Sequence, residues 1–344
     1  MDAERNTRIV LTARPDGDPA PCHFAFEQAP VPTPGEGEVL LRTRLLSMDA
    51  CARVRACDTS LIGERMRVGE VMRCSAVAEV VRSRHPAFKP GDRVLSHSGW
   101  QDFDVVHGSQ LKRKLHERVA PCSTALGVYG VYGFVAWAAM TEAAPPQAGQ
   151  TVAIGSAAGP TGATAGQLAR LRGARVVGVT SSAEKCDWLR DELGFDAALD
   201  FNAPDFDDAL RAACPDGIDV FVPGLDYRVL DAALPLLNTG ARLPVWGMSM
   251  YHPPACNDGD RLPRLLAAIV AKRLQVRGFT ARDIVQLPAE HIVDPAFMGE
   301  MGAHLRHGRV RYREQYVDGL EAAPQALQRL LDGDNFGKLI VRVG

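Results

Sequence analysis

Short apolar runs alternating with polar positions recur through the first third of the chain, at 38–43, 76–81 and 93–95. Pro and Gly bound them, with turns at Pro34-Gly35-Glu36-Gly37 and Lys89-Pro90-Gly91-Asp92, the punctuation of strands joined by tight connections. This texture predicts a compact, mostly β domain. From about Leu126 it changes, and strand-like runs alternate with Ala- and Leu-rich stretches of helical character. Strands are predicted at 151–155, 174–180, 197–200 and 217–222, with helices between them at 162–172, 183–193 and 205–213. The pattern βαβαβαβ requires an α/β fold built on a parallel, doubly wound sheet. It continues through a helix at 229–237 and strands at 241–247 and 274–280. After about Val310 the first texture returns and ends in the run 338–343. The simplest topology inserts a nucleotide-binding domain, 128–310, into a β domain made of 1–127 and 311–344.

Composition narrows the partners. At 344 residues and 46% hydrophobic content the chain can bury two cores. Its 39 Lys+Arg nearly balance 41 Asp+Glu, so no charge footprint calls for nucleic acid or an anionic membrane surface. The ligand expected is a small molecule. The charged start runs into only Ile9-Val10-Leu11, too short for a signal h-region or a membrane span, and a cytoplasmic protein is expected. The eight cysteines include no Cys-x-x-Cys pair, which argues against a structural zinc site and against disulfides. Cys51 and Cys57 are the closest-spaced pair of interest.

The strand Val152-Ala153-Ile154-Gly155 runs into Ser156-Ala157-Ala158-Gly159-Pro160-Thr161-Gly162 and then a helix. This is an A-x-G-x-x-G form of the dinucleotide fingerprint: Gly159 lets backbone approach a pyrophosphate and Gly162 lets the helix pack on the strand. The alternative is a tight strand-to-helix turn that uses the same glycines for packing alone. At the end of the next strand an NAD site usually carries Asp or Glu for the ribose hydroxyls. Here Ser181, Ser182 and Lys185 offer donors and a positive charge suited to a 2'-phosphate, so NADPH is expected. On the alternative reading Ser182 caps the following helix and Lys185 faces solvent. Glu184 opposes the anion in charge.

Several segments together resemble the zinc-free branch of the medium-chain dehydrogenases/reductases that holds the prostaglandin, leukotriene B4, alkenal and curcumin reductases. They are 68–73, 83–86 with 88–92, 125–128, the fingerprint, 183–186, 193–197 and 335–338. Zinc alcohol dehydrogenases of the same fold have Gly-His-Glu where this chain has Gly69-Glu70-Val71. The resemblance implies a Rossmann sheet inserted into a GroES-like domain, and NADPH-dependent reduction of the C=C bond of α,β-unsaturated carbonyl compounds. It implies cofactor contacts from Ala158, Gly159, Thr161 and Gly162, from Lys185 at the 2'-phosphate, and from the 247–251 loop with Gly247, Met248 and Tyr251. Phe279, Thr280 and Asn335 complete the implied set. Phe201 stands where the family has a phosphate-holding Tyr, and Gly224 where it has a cofactor-contacting Asn. Ala50 and Cys51 replace a Pro and a Tyr, and Tyr132, Val135 and Trp137 replace Pro, Thr and Tyr, which points to a rebuilt substrate pocket. A homodimer through the nucleotide domain, along 241–246 and 274–278, is also implied.

Hydride delivery to the β-carbon drives negative charge onto the carbonyl oxygen, where one oriented donor is typically worth about 2.7 to 4 kcal/mol. Tyr251 is the first candidate, Tyr132 the second and Cys51, a weak donor, the third. His85 is read as a structural surface residue. Tyr129, Tyr132, Phe134, Trp137 and Trp246 suggest an apolar carbonyl substrate. Competing readings are an NADPH quinone reductase, a pathway-specific tailoring reductase and, from a different class, an NADPH-binding protein that has lost catalysis.

Overall fold

The structure, a computed structural model, describes residues 5–57, 65–111, 113–224, 227–246, 262–279 and 294–344. Its described residues form two compact units, one of 5–130, 294–295 and 314–344, the other of 131–279 and 296–313.

In the first unit β1 (Arg5–Leu11) and β2 (Phe24–Pro30) form an antiparallel pair. A larger sheet holds β3 (Glu38–Ser47), β4 (Ala76–Ser83), β5 (Arg93–Ser96), β6 (Phe103–His107) and the short β7 (Arg113–Lys114). The helix α1 (Cys51–Ala56) follows β3. Ile9, Leu11 and Leu46 on these strands, with Met48 just after β3 and Trp100 between β5 and β6, enter one core, each at most 1% exposed. Glycine is required at Gly99, where φ is +77° and an added Cβ would lie 2.2 Å from the Met72 carbonyl oxygen.

The second unit begins with α2 (Val131–Ala138). Its sheet is built from β8 (Thr151–Ile154), β9 (Arg175–Thr180), β10 (Ala197–Asp200), β11 (Ile218–Val222), β12 (Leu237–Val245) and β13 (Gln275–Gly278). Between them run α3 (Pro160–Leu171), α4 (Ala183–Asp187), α5 (Phe206–Ala213), α6 (Tyr227–Ala233) and α7 (Leu262–Lys272). Every pairing is parallel and the strand order is β10-β9-β8-β11-β12-β13, the doubly wound Rossmann order. Phe195, 4% exposed, wedges α3 against the sheet: an added Cβ on Gly166 would lie 2.1 Å from its ring and one on Gly178 2.8 Å.

The last part of the chain returns to the first unit, where β14 (Glu314–Asp318) pairs in parallel with β15 (Lys338–Arg342), and β15 lies antiparallel to β3. Two departures from the sequence expectation have local causes. The helix expected at 229–237 is α6 followed by a 3-10 turn over Leu234–Leu236, with Pro235 in it, and β12 begins at Leu237. The β11 to β12 register then slips between Ile218 and Val220, while Gly240 takes φ +78°. The helices Leu262–Lys272, Pro295–Arg306 and Ala323–Leu331 were absent from the expected pattern.

One buried acid gives the first unit a pH dependence. Burial pushes the Asp104 carboxyl on β6 up to about 6, against hydrogen bonds from Ser98, the Val105 amide and Gln101 and the nearby charge of Arg73. A raised carboxyl favours the protonated form in the fold. Its contribution is therefore complete below the unfolded value near pH 4 and is lost as pH rises through about 6. Asp104→Asn should gain stability relative to the parent by roughly 2 kcal/mol between pH 4 and 7.5, read by urea unfolding. A mutant-to-parent difference that is constant with pH would rule this out.

Candidate functional site

The sheet reverses direction beside β8, since the chain passes to β9 on one side and returns at β11 on the other. Ligands of such sheets bind outside the carboxyl ends of the strands at this point. Here β8 is followed by Gly155, whose amide donates to the Val222 carbonyl of β11 at 2.9 Å, while the Ala157 amide donates to Val179 of β9 at 2.9 Å. The turn is thus tied to both neighbouring strands. Its Ser156 carbonyl accepts from the Gly159 amide at 3.0 Å, and an added Cβ on Gly162 would lie 2.6 Å from that same oxygen. Gly162 therefore does what the sequence expects, bringing α3 onto the turn.

Gly159 is the N-cap of α3 and offers no side-chain cap, and Pro160 opens the helix. A twelve-residue helix whose first amides have no capping side chain suits a pyrophosphate. Ala158 is buried and Thr161 is half-buried in the first turn. Gln167 anchors the helix farther on, donating to the Arg311 carbonyl at 2.9 Å and accepting from its amide at 2.8 Å.

At the end of β9 the Lys185 ammonium donates to the Ser181 hydroxyl at 3.0 Å. Ser182 caps α4 and accepts from the Lys185 amide at 3.4 Å, so the capping role considered for it is the one it has. Glu184, the charge that opposed an anion, lies 3.8 Å from Arg313. Asp200 turns to the Asn202 amide at 2.9 Å, and the Asn202 side chain donates to the Ser181 carbonyl at 3.1 Å. A lysine and a hydroxyl are held together here, with each nearby carboxylate engaged elsewhere. Phe201 packs against the core of this unit and its amide donates to Thr180.

Gly224 is buried against Gly155. A Cβ on Gly224 would lie 2.8 Å from the Gly155 Cα, and one on Gly155 would lie 2.3 Å from the Gly224 nitrogen. An Asn at this position has no room, which accounts for the departure noted in the sequence. Phe279 is buried against Trp246 with ring centroids 5.7 Å apart, and its amide donates to Val245. Gly247, Met248, Tyr251 and Thr280 lie outside the described residues.

The aromatic residues of α2 need a correction. Tyr132 is half-buried, but Phe134 is fully buried and Trp137 is 7% exposed. Both pack on Phe297, and the Trp137 indole donates to Glu300 at 2.7 Å. They are core residues of the second unit and say nothing about a substrate.

In the first unit the sequence missed a buried ion pair. Lys338, 3% exposed, donates to Asp49 at 2.9 Å and to the Met48 carbonyl at 2.6 Å, while Ser47 donates to Asp49 at 2.6 Å. Burial first, then the charge of Asp49, pushes the adjoining Cys51 thiol up to about 11, so it stays protonated at neutral pH. Cys57 does not join it, since its thiol donates to the Gly17 carbonyl at 3.2 Å; Cys74 is the thiol whose charge interacts with Cys51. Asn335 donates to the Gly337 carbonyl at 2.9 Å within the turn before β15. His85 accepts from the Ala87 amide at 3.1 Å and is pressed against Gly108, a structural role. Among the described residues no three His, Cys, Asp or Glu side chains come together as metal ligands.

Two family models match the chain: one described as the N-terminal domain of oxidoreductase over 7–113, and one described as zinc-binding dehydrogenase over 160–292. The NADPH-dependent curcumin reductase of Escherichia coli (strain K12) is 44% identical over 342 residues, covering 99% of this chain and 97% of that protein. The 2-alkenal reductase (NADP(+)-dependent) of Nicotiana tabacum is 31% identical, over 90% of this chain and 88% of its own length. The crystal structure of CurA from Vibrio vulnificus in complex with NADPH superposes with a TM-score of 0.89 at 37% identity, covering 98% of this chain and 99% of that one. Likeness at this level along both units shows a Rossmann domain whose sequence is inserted into a GroES-like domain, and the chain belongs to the medium-chain dehydrogenase/reductase family, in the zinc-free branch of curcumin, alkenal and prostaglandin reductases.

Proposed function

We propose that this protein reduces the C=C bond of an α,β-unsaturated carbonyl compound with NADPH. The observation that carries the cofactor choice is the Lys185 ammonium set 3.0 Å from the Ser181 hydroxyl at the end of β9, the place of the adenosine ribose in such sheets. The kinship with NADPH-dependent curcumin and alkenal reductases carries the reaction class.

When bound, NADPH supplies hydride to the β-carbon of the substrate. The chain's own contribution is to bind, orient and stabilise charge. Lys185 and Ser181 hold the 2'-phosphate, with Ser182 keeping α4 in register beneath them. Ala158, Gly159, Thr161 and Gly162 present the start of α3 to the pyrophosphate. Gly224, Phe279 and Asn335, with Gly247, Met248 and Thr280, complete the proposed cofactor set, and Phe201 contributes packing without a hydroxyl. As charge develops on the carbonyl oxygen, a hydrogen-bond donor stabilises the enolate. Tyr251 is proposed for this, with Tyr132 next. Cys51 follows, because its protonated thiol is a weak donor.

We further propose a homodimer in the cytoplasm. β13 pairs only with β12 among the described residues and is exposed along its length. Val276 on it is 46% exposed, and Leu266 and Val270 on α7 are 52% and 77% exposed. An edge strand flanked by bare apolar side chains suits pairing across a twofold axis. The seven described cysteines are free thiols, as a reducing compartment would keep them.

Three measurements test these readings. NADPH should bind at least tenfold tighter than NADH, since charge-assisted hydrogen bonds are worth roughly 1.5 to 3 kcal/mol, and Lys185→Ala should remove most of that gap; equal titrations for the two cofactors in the parent would refute the site. With NADPH deuterated at C4 the label should appear at the substrate β-carbon, and label on a carbinol carbon would show carbonyl reduction instead. Light scattering at micromolar concentration should give twice the chain mass, and Val276→Asp should shift it toward the monomer; a monomeric parent would overturn the dimer.

A further inference from the structure

Ser156 is one of only two non-glycine residues with positive φ among the described residues, at +52°. The left-handed conformation is costly for a residue with a Cβ and is ordinarily given to Gly or Asn. Such a residue persists where its surroundings hold it and its side chain is wanted in that direction. Its surroundings do hold it. The Ser156 carbonyl accepts from the Gly159 amide at 3.0 Å, and the neighbouring Gly155 and Ala157 amides are bonded to β11 and β9.

The direction is informative as well. Every residue from Thr151 to Gly155 is buried and so are Ala157 and Ala158, yet Ser156 between them is exposed. Its hydroxyl is thereby open to a ligand or to water. The left-handed turn therefore rotates this one side chain out of the packed layer at the carboxyl end of β8, where the sheet order reverses. Ser156 stands on the β11 side of that reversal: its amide nitrogen lies 3.0 Å from where a Gly224 Cβ would be. Lys185 and Ser181, at the end of β9, take the opposite side.

We infer that the Ser156 hydroxyl is a cofactor-binding group, donating a hydrogen bond to an oxygen of the nicotinamide-side ribose or phosphate, the part that NADPH and NADH share. The inference rests on the NADPH reading above and adds to it a residue whose effect is blind to the 2'-phosphate. The close packing of Gly155 on Gly224 leaves no side chain in that gap, and the exposed Ser156 is the polar residue beside it.

The test compares Ser156→Ala, which keeps the backbone requirement and removes the hydroxyl, with Ser156→Gly, which removes both. Affinities for NADPH, NADH and 2',5'-ADP are measured by titration, together with the melting temperature of the protein without cofactor. Both variants should bind NADPH and NADH at least about threefold more weakly, the lower end of the worth of one hydrogen bond, and by the same factor for each. Binding of 2',5'-ADP, which has no nicotinamide half, should not change. The melting temperature should hold in the Ala variant and hold or rise in the Gly variant, whose backbone adopts the turn freely. Unchanged affinity for both dinucleotides would overturn the inference while leaving the NADPH reading standing. So would an equal loss toward 2',5'-ADP, or a fall in melting temperature that accompanies the loss of binding. A parent protein that fails to bind NADPH would overturn the reading on which the inference rests.

Discussion

Two backbones meet where the parallel sheet reverses, and the second unit is arranged around that meeting. Gly155 at the end of β8 and Gly224 after β11 lie so close that a Cβ on either would fall within 3 Å of the other's backbone. The contact joins the loops of the two strands that flank the reversal. Because Gly155 is bonded to β11 and Ala157 to β9, the turn between them has almost no freedom. The left-handed Ser156 and the seat of Gly162 on the Ser156 carbonyl follow from this tethering. A turn set this rigidly is organised before any ligand arrives, which lowers the ordering cost of binding.

Phe195 supplies the matching constraint from the other side. Its ring fills the space left by the missing side chains of Gly166 on α3 and Gly178 on β9, and so sets the distance from helix to sheet. A larger residue at either glycine would lift the helix and with it the amides at its start. Lys185 is supported in the same manner. Ser181 accepts from Lys185, Asn202 holds the Ser181 carbonyl, and Asp200 holds Asn202, so the positive charge sits at the end of a short chain of hydrogen bonds. Glu184, adjacent in sequence, is drawn toward Arg313.

The first unit depends on a different interaction. Lys338 and Asp49 form a buried pair closed by the Ser47 hydroxyl and the Met48 carbonyl, joining β15 to the segment after β3. A buried charge pair is retained only when its remaining donors and acceptors are satisfied, and loss of one partner would strand the other. The pair also sets the surroundings of Cys51, whose thiol is held protonated by burial and by Asp49.

Much of this was legible in the residues alone. Strand and helix alternation gave the parallel sheet because burial on both faces of a strand and on one face of a helix leaves different periods in the sequence. The local placement of Gly159, Gly162, Ser181 and Lys185 was legible because the turn and the strand end that carry them are fixed by short-range sterics and hydrogen bonding. The kinship in segments along the chain added the cofactor and the reaction class. Tertiary structure alone decided the rest. Asp49 and Lys338 are 289 residues apart and nothing near either one announces the other. Phe134 and Trp137 looked like pocket walls until Phe297 covered them. Gly224 looked like a lost contact until Gly155 was found against it. In each case the deciding neighbour comes from a distant part of the chain, and local periodicity records that a residue is buried without recording against what.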